Sequence, residues 1–282
     1  MPAASASTSV ALVAAPAISN HLWRTGISSF REKQSYVTGF RPRTLLTSIA
    51  EMPGFVSNWL TYQKLNSIPG LRLRLAEAFP ILTDRHDSAG HAEGHYFHQD
   101  LWAARKIFQE RPQSHIDIGS RVDGFIAHLL TFMPVTVLDI RPLVSEIDGL
   151  TYLQDDATSL SQLKDNSVSS LSSLHAAEHF GLGRYGDPID PDACFKFMDA
   201  LQRVLAPRGK LYFSVPVGRE RVEFNAHRVF SPGTILRQFA RLRLESYSCV
   251  GDDGSLYLNT DPAASTHSEM ACGLFEFTKA AP

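Results

Sequence analysis

From about residue 112 onward, short apolar runs alternate with stretches of helical periodicity, and no other feature constrains the fold as tightly. Parallel strands need a crossover connection, so a strand–helix–strand rhythm builds a parallel sheet with helices on its faces. "HIDIG" (115–119) reads as the first strand and 123–132 as its helix. "VTVLDI" (135–140) is a second strand, "LTYLQDD" (150–156) contains a short third, and "SVSSLSSL" (167–174) is a fourth, less apolar than most. In "DACFKFMDALQRVLAPRG" (192–209), Phe195, Met198, Leu201, Val204 and Leu205 recur at three- and four-residue steps; Pro207 and Gly209 are expected to end that helix. "KLYFSVPV" (210–217) is the fifth strand. "SPGTILRQFARL" (231–242) is a helix with Ser231 as cap and Pro232 in its first turn. "RLESYSCV" and "ACGLFEFTK" supply two last strands around a polar loop, giving an α/β fold of seven strands.

Residues 21–95 do not follow this rhythm. "GFVSNWLTYQKL" has a helical apolar face, while "LRLRLAEAF" alternates like a strand, so this part reads as an accessory cap of mixed structure before a domain spanning 96–282. The first twenty residues are rich in Ala and Ser and carry no charged side chain, which suits a disordered tail better than a secretory signal with its positive start. Residues 1–50 hold Arg24, Arg31, Lys33, Arg41 and Arg43 against one acid, Glu32. That bias is compatible with an organelle transit peptide; a tail followed by a basic surface helix is the simpler explanation.

Bulk composition excludes some partners. A net charge of −2 provides no global field for holding nucleic acid. No stretch approaches the ~20 apolar residues of a membrane-spanning helix. Cys194, Cys249 and Cys272 are scattered and odd in number, matching neither a disulfide framework nor a zinc knuckle, so a reducing compartment, the cytoplasm, is expected.

The first turn, "DIGSRVDGF", departs from the nucleotide-binding patterns it resembles. A dinucleotide turn would continue Gly-x-Gly-x-x-Gly, yet Arg121 stands at the second glycine position and the next glycine is Gly124. A phosphate loop fails too, because Phe125 and Ile126 stand where Lys and Ser/Thr are required. A nicotinamide-dependent oxidoreductase is thereby disfavoured but stays open, since spacing alone does not separate two Rossmann-like sites.

Seven strands, with the last two following a helix, together with "HIDIGS", "VLDI", "LQDDATSL" and "VLAPRGKLYFSVPVG", resemble the class I S-adenosylmethionine-dependent methyltransferases over about residues 97–280. More narrowly, "HYFHQDLWAARKI", "DIGSRVDGF", "AAEHFGLGRYGDP" and "FNAHRVFSP" are similar to an uncharacterised methyltransferase-like domain family sometimes found near polysaccharide biosynthesis functions. The resemblance implies a Rossmann-like seven-stranded methyltransferase sheet, S-adenosyl-L-methionine as cofactor, and methyl transfer to a small-molecule or saccharide-type acceptor, most simply at oxygen. It also answers the question of the loop: this cofactor has no pyrophosphate, so Gly119 is still needed for close approach while Arg121 is tolerated beyond it. Asp139, at the end of the second strand, would accept both ribose hydroxyls. Asp156 with Ala157 matches the place that contacts adenine, with Asp155 as competitor and a capping role as the alternative. Asp117 would contact the methionine end directly or through water, or alternatively holds the turn by accepting from backbone amides, and Ser120 is expected among the cofactor contacts. Arg121 either pairs with the cofactor carboxylate or with Asp123.

Methyl transfer is an in-line displacement, so a protein mainly positions donor and acceptor, with a general base when the acceptor is a hydroxyl. His175, Glu178 and His179 follow the fourth strand; His179 is the preferred base, and bonding a loop carbonyl is its structural alternative. Tyr185 and Asp187 are expected to line the acceptor pocket, and Asn225, His227 and Arg228 to face the substrate from the loop after the fifth strand. Arg219 and Arg221 would suit an anionic acceptor, or are solvated surface charge. In "HDSAGHAEGHYFHQD" (86–100), His86, His91, His95, His98, Glu93 and Asp100 raise the question of a metal, but the helix-borne His-Glu-x-x-His pattern is missing and no metal is assigned. His95, Tyr96 and Gln99 are instead expected as lid contacts, with packing of Tyr96, Phe97 and Trp102 against the core as the alternative. A non-catalytic protein that kept the fold as a binding or scaffold module is the remaining reading.

Overall fold

The structure, a computed structural model, describes residues 42–90 and 92–281, so the tail expected at 1–20, the basic stretch up to Arg41, and His91 lie outside the described residues. The chain divides into two compact units, Met1–Gly90 and His91–Pro282.

In the first unit, helix α1 (Pro42–Leu65) continues through Pro53 and includes the predicted apolar stretch. The alternating "LRLRLAEAF" forms no strand. Arg72 and Arg74 do take extended backbone angles, but they sit between short 3₁₀ turns at Pro69–Leu71 and Leu75–Glu77. A period of two makes a strand only when a ladder partner takes up the backbone N–H and C=O groups, and no ladder partner pairs with this segment among the described residues.

The second unit opens with α2 (His95–Glu110) and then forms the sheet: β1 (His115–Ile118), β2 (Val135–Asp139), β3 (Leu150–Gln154), β4 (Val168–Leu174), β5 (Leu205–Val217), β8 (Leu242–Val250), β9 (Leu256–Tyr257) and β10 (Ala271–Lys279). A separate hairpin pairs β6 (Arg221–Glu223) with β7 (His227–Val229). The sheet runs in the order β3-β2-β1-β4-β5-β10-β8-β9. β1 to β5 pair in parallel, and β10 enters antiparallel between β5 and β8. The expected seven strands are all present; the eighth is β9, a two-residue edge strand inside the polar loop. The helix expected at 123–132 is a π turn at Val122–Ile126 running into α3 (Ala127–Leu129). The next, α4 (Ala193–Val204), ends earlier than expected, because Pro207 disfavours helical angles upstream. Ala206–Gly209 instead make an irregularity within β5, with Arg208 at φ +63 and a register shift against β4. The last helix, α5, is Pro232–Gln238.

Period-two alternation along the central strands feeds two cores. Phe213 of β5 and Phe275 of β10 join Phe197, Met198 and Leu201 of α4 and Phe239 just past α5. Their neighbours Tyr212 and Leu274 face the other way, onto Trp102 and Ile107 of α2 and Phe125 and Ile126 of the π turn. A truncation such as Phe213→Ala would cost about 3–5 kcal/mol. The low apolarity of β4 has a specific cause. Ser170 and Ser172 are within 2.8 Å of the two ring nitrogens of buried His115, and Ser173 donates to the Ile118 carbonyl. These hydroxyls satisfy groups of β1 inside the sheet.

Candidate active site at the sheet's switch point

The strand order reverses between β1 and β4, and the chain segments leaving those strands diverge into a crevice at their carboxyl ends. The crevice is a cavity of about 550 Å³, a volume suited to a small-molecule ligand. Tyr96, the turn 119–123, the end of β2, Asp156–Thr158, and the segment after β4 form its wall.

Gly119 closes the first turn at φ +75, and a Cβ on it would lie 2.9 Å from the Ala176 Cβ. Both the left-handed backbone and the close approach require glycine. Asp117 does not line the cavity. It is fully buried and accepts hydrogen bonds from the Ser120 amide, the Ser120 hydroxyl and the Ser172 hydroxyl, at 3.0, 2.6 and 2.5 Å. Burial pushes its pKa up to about 6 against the opposing pull of these serines. Asp117 thus holds the turn, and its carboxylate is turned into the fold and not toward the cavity. Ser120 borders the cavity, but its oxygen also accepts from the Leu174 amide.

Asp139 ends β2, 8% exposed, on the cavity wall. Its carboxylate is gripped by Arg141, which donates its backbone N–H at 2.9 Å and its guanidinium at 3.0 and 2.5 Å. The guanidinium also lies 4.8 Å from the Tyr185 ring centre. Arg141 is a site residue that sequence reasoning missed; its only signal was a cation two places after the strand-end acid. Asp156 and Ala157 both line the cavity. Asp156 accepts from the amide and hydroxyl of Thr158, while Asp155, off the cavity wall, accepts from Gln162. Arg121 pairs with Asp123 through two hydrogen bonds of 3.1 and 3.0 Å and rests 5.0 Å from the Tyr96 ring centre.

The segment after β4 is built around Glu178. His175, in the left-handed region at φ +51, puts Nδ1 2.7 Å from Glu178 Oε1 and Nε2 3.2 Å from Cys272 Sγ. Burial alone would lower the His175 pKa, but Cys272 and Glu178 raise it well above the ordinary value. Glu178 is 1% exposed and its Oε2 has no hydrogen-bond partner among the described residues. His179 Nδ1 lies 2.7 Å from the Ala226 carbonyl and therefore carries the proton it donates there, which leaves Nε2 with the lone pair. Burial lowers its pKa and keeps the ring neutral near pH 7.

The expected lid contacts separate. Tyr96 lines the cavity, while the His95 ring stacks on His175 at 5.4 Å. Burial and then His175 lower the His95 pKa to about 4. Gln99 is buried behind the cavity, accepting from the Ser214 hydroxyl at 2.6 Å. Tyr185 and Asp187 border the cavity, and Asp187 organises its loop by accepting from the Gly181, Gly183 and Tyr185 amides. Three expected substrate contacts are not on this wall. Arg228 is 7% exposed and donates to the carbonyls of Glu178, Phe180 and Pro191, so it braces the Glu178 loop. Asn225 and His227 belong to the β6–β7 hairpin, with His227 3.7 Å from Glu223. From the histidine-rich stretch, His86 pairs with Glu51 within the first unit and His98 packs edge-on to Phe97.

In sequence, residues 149–243 match the family described as Caenorhabditis protein of unknown function, DUF268. No curated protein matches the chain. In structure the chain is similar to the YcgJ protein of Bacillus subtilis, at 14% identity and a TM-score of 0.47, over 66% of this chain and 99% of that one. It is also similar to the N-methyltransferase NodS of Bradyrhizobium japonicum, solved with S-adenosylhomocysteine, at 14% identity and 0.45 over 65% and 87%. The 1,6-didemethyltoxoflavin-N1-methyltransferase of Burkholderia thailandensis gives 14% and 0.45 over 64% and 78%. Likeness at this level leaves function to the chain's own topology and cavity. The fold is Rossmann-like α/β.

Proposed function

We propose that the cavity binds S-adenosylmethionine and that the chain transfers its methyl group to a small-molecule or saccharide-type acceptor at oxygen. The observation that carries this reading is the pairing of Gly119, pressed against Ala176, with the Asp139 carboxylate across one cavity at the switch point. A nucleoside needs that combination: close backbone approach at the first turn and an acceptor for the ribose diol at the end of the second strand. A pyrophosphate needs something else. Both guanidiniums on the wall, Arg121 and Arg141, are already bound to Asp123 and Asp139, and the Arg121 side chain stands where a dinucleotide turn has glycine.

Gly119 and Ser120 would face the amino-acid end, Asp139 the ribose, and Asp156 with Ala157 the adenine. When bound, this cofactor supplies a methyl carbon activated by a sulfonium. The protein's part is orientation and proton removal: His179, neutral and fixed by the Ala226 carbonyl, takes the acceptor hydroxyl's proton at Nε2. Tyr96 and Tyr185 close the wall around the acceptor. Three free buried cysteines suit the reducing cytoplasm, and a net charge of −2 suits an acceptor other than nucleic acid. Among the described residues no helix is long and apolar enough to cross a membrane.

Calorimetric titration with S-adenosylhomocysteine tests the reading, with NAD and Asp139→Ala as controls. Micromolar binding, weakened at least about tenfold in the variant (1.4 kcal/mol) and not reproduced by NAD, is expected. A folded protein that binds neither nucleotide would instead be a scaffold, with Arg141 permanently occupying Asp139.

A further inference from the structure

Behind His175 lies a cluster that proton removal by His179 does not use. His95, His175 and Cys272 each present one ligand-type atom, and the three atoms lie within 4.8 Å of one another. They come from the first turn of α2, the residue after β4 and the second residue of β10. Zn–N and Zn–S bonds of about 2.0 and 2.3 Å in a tetrahedron set an N···S edge of about 3.5 Å. The observed edge from His175 Nε2 to Cys272 Sγ is 3.2 Å, so a small adjustment admits one ion to both. We propose that His95, His175 and Cys272 form a Zn²⁺ site of two imidazoles and one thiolate.

The surroundings have the outer shell such a site requires. Glu178 Oε1 accepts from His175 Nδ1. The His175 imidazole is thereby oriented from one nitrogen and left free to ligate with the other. Glu178 adds a second observation: it is a buried carboxylate with one oxygen lacking any hydrogen-bond partner among the described residues. A dication one imidazole away offsets that negative charge. Two nitrogens and a sulfur favour zinc over magnesium or calcium, which take oxygen ligands. A thiolate ligand requires loss of the Cys272 thiol proton, so Zn²⁺ enters and H⁺ leaves. Three protein ligands leave a fourth tetrahedral position for water, or for the sulfur or oxygen of a small molecule.

The full-length protein, freed of metal with a chelator and kept reduced, is titrated with Zn²⁺ and separately with Co²⁺. We expect one equivalent of either ion, a rise in melting temperature, and for Co²⁺ a thiolate-to-metal charge-transfer band with tetrahedral d–d bands. Cys272→Ser removes the charge-transfer band, and His95→Asn weakens binding about tenfold or more. Cys194→Ala, which alters a cysteine in α4, leaves both unchanged. Circular dichroism and melting curves establish that each variant is folded. A cobalt spectrum without the charge-transfer band, a band that survives Cys272→Ser, or undiminished binding by a folded His95→Asn overturns the site. Titrating S-adenosylhomocysteine into the same preparations keeps the two readings apart. Metal binding without nucleotide binding sinks the methyltransferase reading alone, and the reverse sinks the zinc site alone.

Discussion

Asp117 and Glu178 are two buried carboxylates in the segments that flank the switch point, and they are used in opposite ways. Asp117 is surrounded by donors that belong to the fold: the Ser120 amide and hydroxyl, and the Ser172 hydroxyl. Each of its oxygens has a partner. Glu178 spends one oxygen on His175 and leaves the other bare. Burial alone would raise its pKa, but His175 holds it below the ordinary carboxylate range. A fully bonded buried carboxylate fixes a turn. A half-bonded one beside an imidazole holds negative charge ready for a cation.

The sharpest way to break this contrast is to delete Asp117. Asp117→Ala strands three buried donors, each worth roughly 1–3 kcal/mol, so urea unfolding should show a loss of about 3 kcal/mol or more. Glu178→Gln should do far less to the fold, within about 1 kcal/mol, because the amide oxygen still accepts from His175. Its effect should fall on cobalt affinity instead, a loss of about 10- to 100-fold. Equal destabilisation by both variants would mean that Glu178 is scaffold too.

Titration sharpens the same comparison with a smaller signal. The folded-state pKa of Asp117 is raised to about 6, so the folded chain binds this proton more tightly than the unfolded chain. Its contribution to stability is complete below the ordinary carboxylate pKa of about 3.9 and is lost as pH rises through about 6. The stability difference between wild type and Asp117→Asn should therefore shrink between about pH 4 and 6 and stay flat above it. A flat difference across the whole range, read from urea midpoints, would place the pKa elsewhere. The smallest effect belongs to Arg121. Its ion pair with Asp123 is half exposed, so Arg121→Ala should change stability by no more than about 0.5 kcal/mol. A loss of nucleotide affinity in that variant would show that Arg121 leaves Asp123 for the ligand.

What could be read in advance was what local pattern governs. Strand and helix alternation located seven of the sheet's eight strands, because side-chain period follows from backbone geometry within a few residues. Gly119 was legible for the same reason: the turn after a buried strand needs its own backbone freedom, whatever packs above it. The position of Asp139 at the end of β2 was legible in the same way, while Asp156 lies two residues past β3. Local pattern also misled where a partner was needed, as in "LRLRLAEAF", which is extended over Arg72–Arg74 without a ladder.

Contacts between distant residues were the tertiary structure's decision. Nothing in the spacing of Asn225, His227 and Arg228 announced that the arginine would be spent on three carbonyls while the other two stayed off the cavity wall. The histidine-rich stretch drew attention to a metal by its density, yet among its described residues only His95 joins a ligand cluster. Its partners are His175 and Cys272, and those two are 97 residues apart. Chain periodicity carries no information about that meeting. It follows from α2 packing on the sheet and from β10 entering antiparallel beside β5, which brings the start of β10 to the carboxyl end of β4.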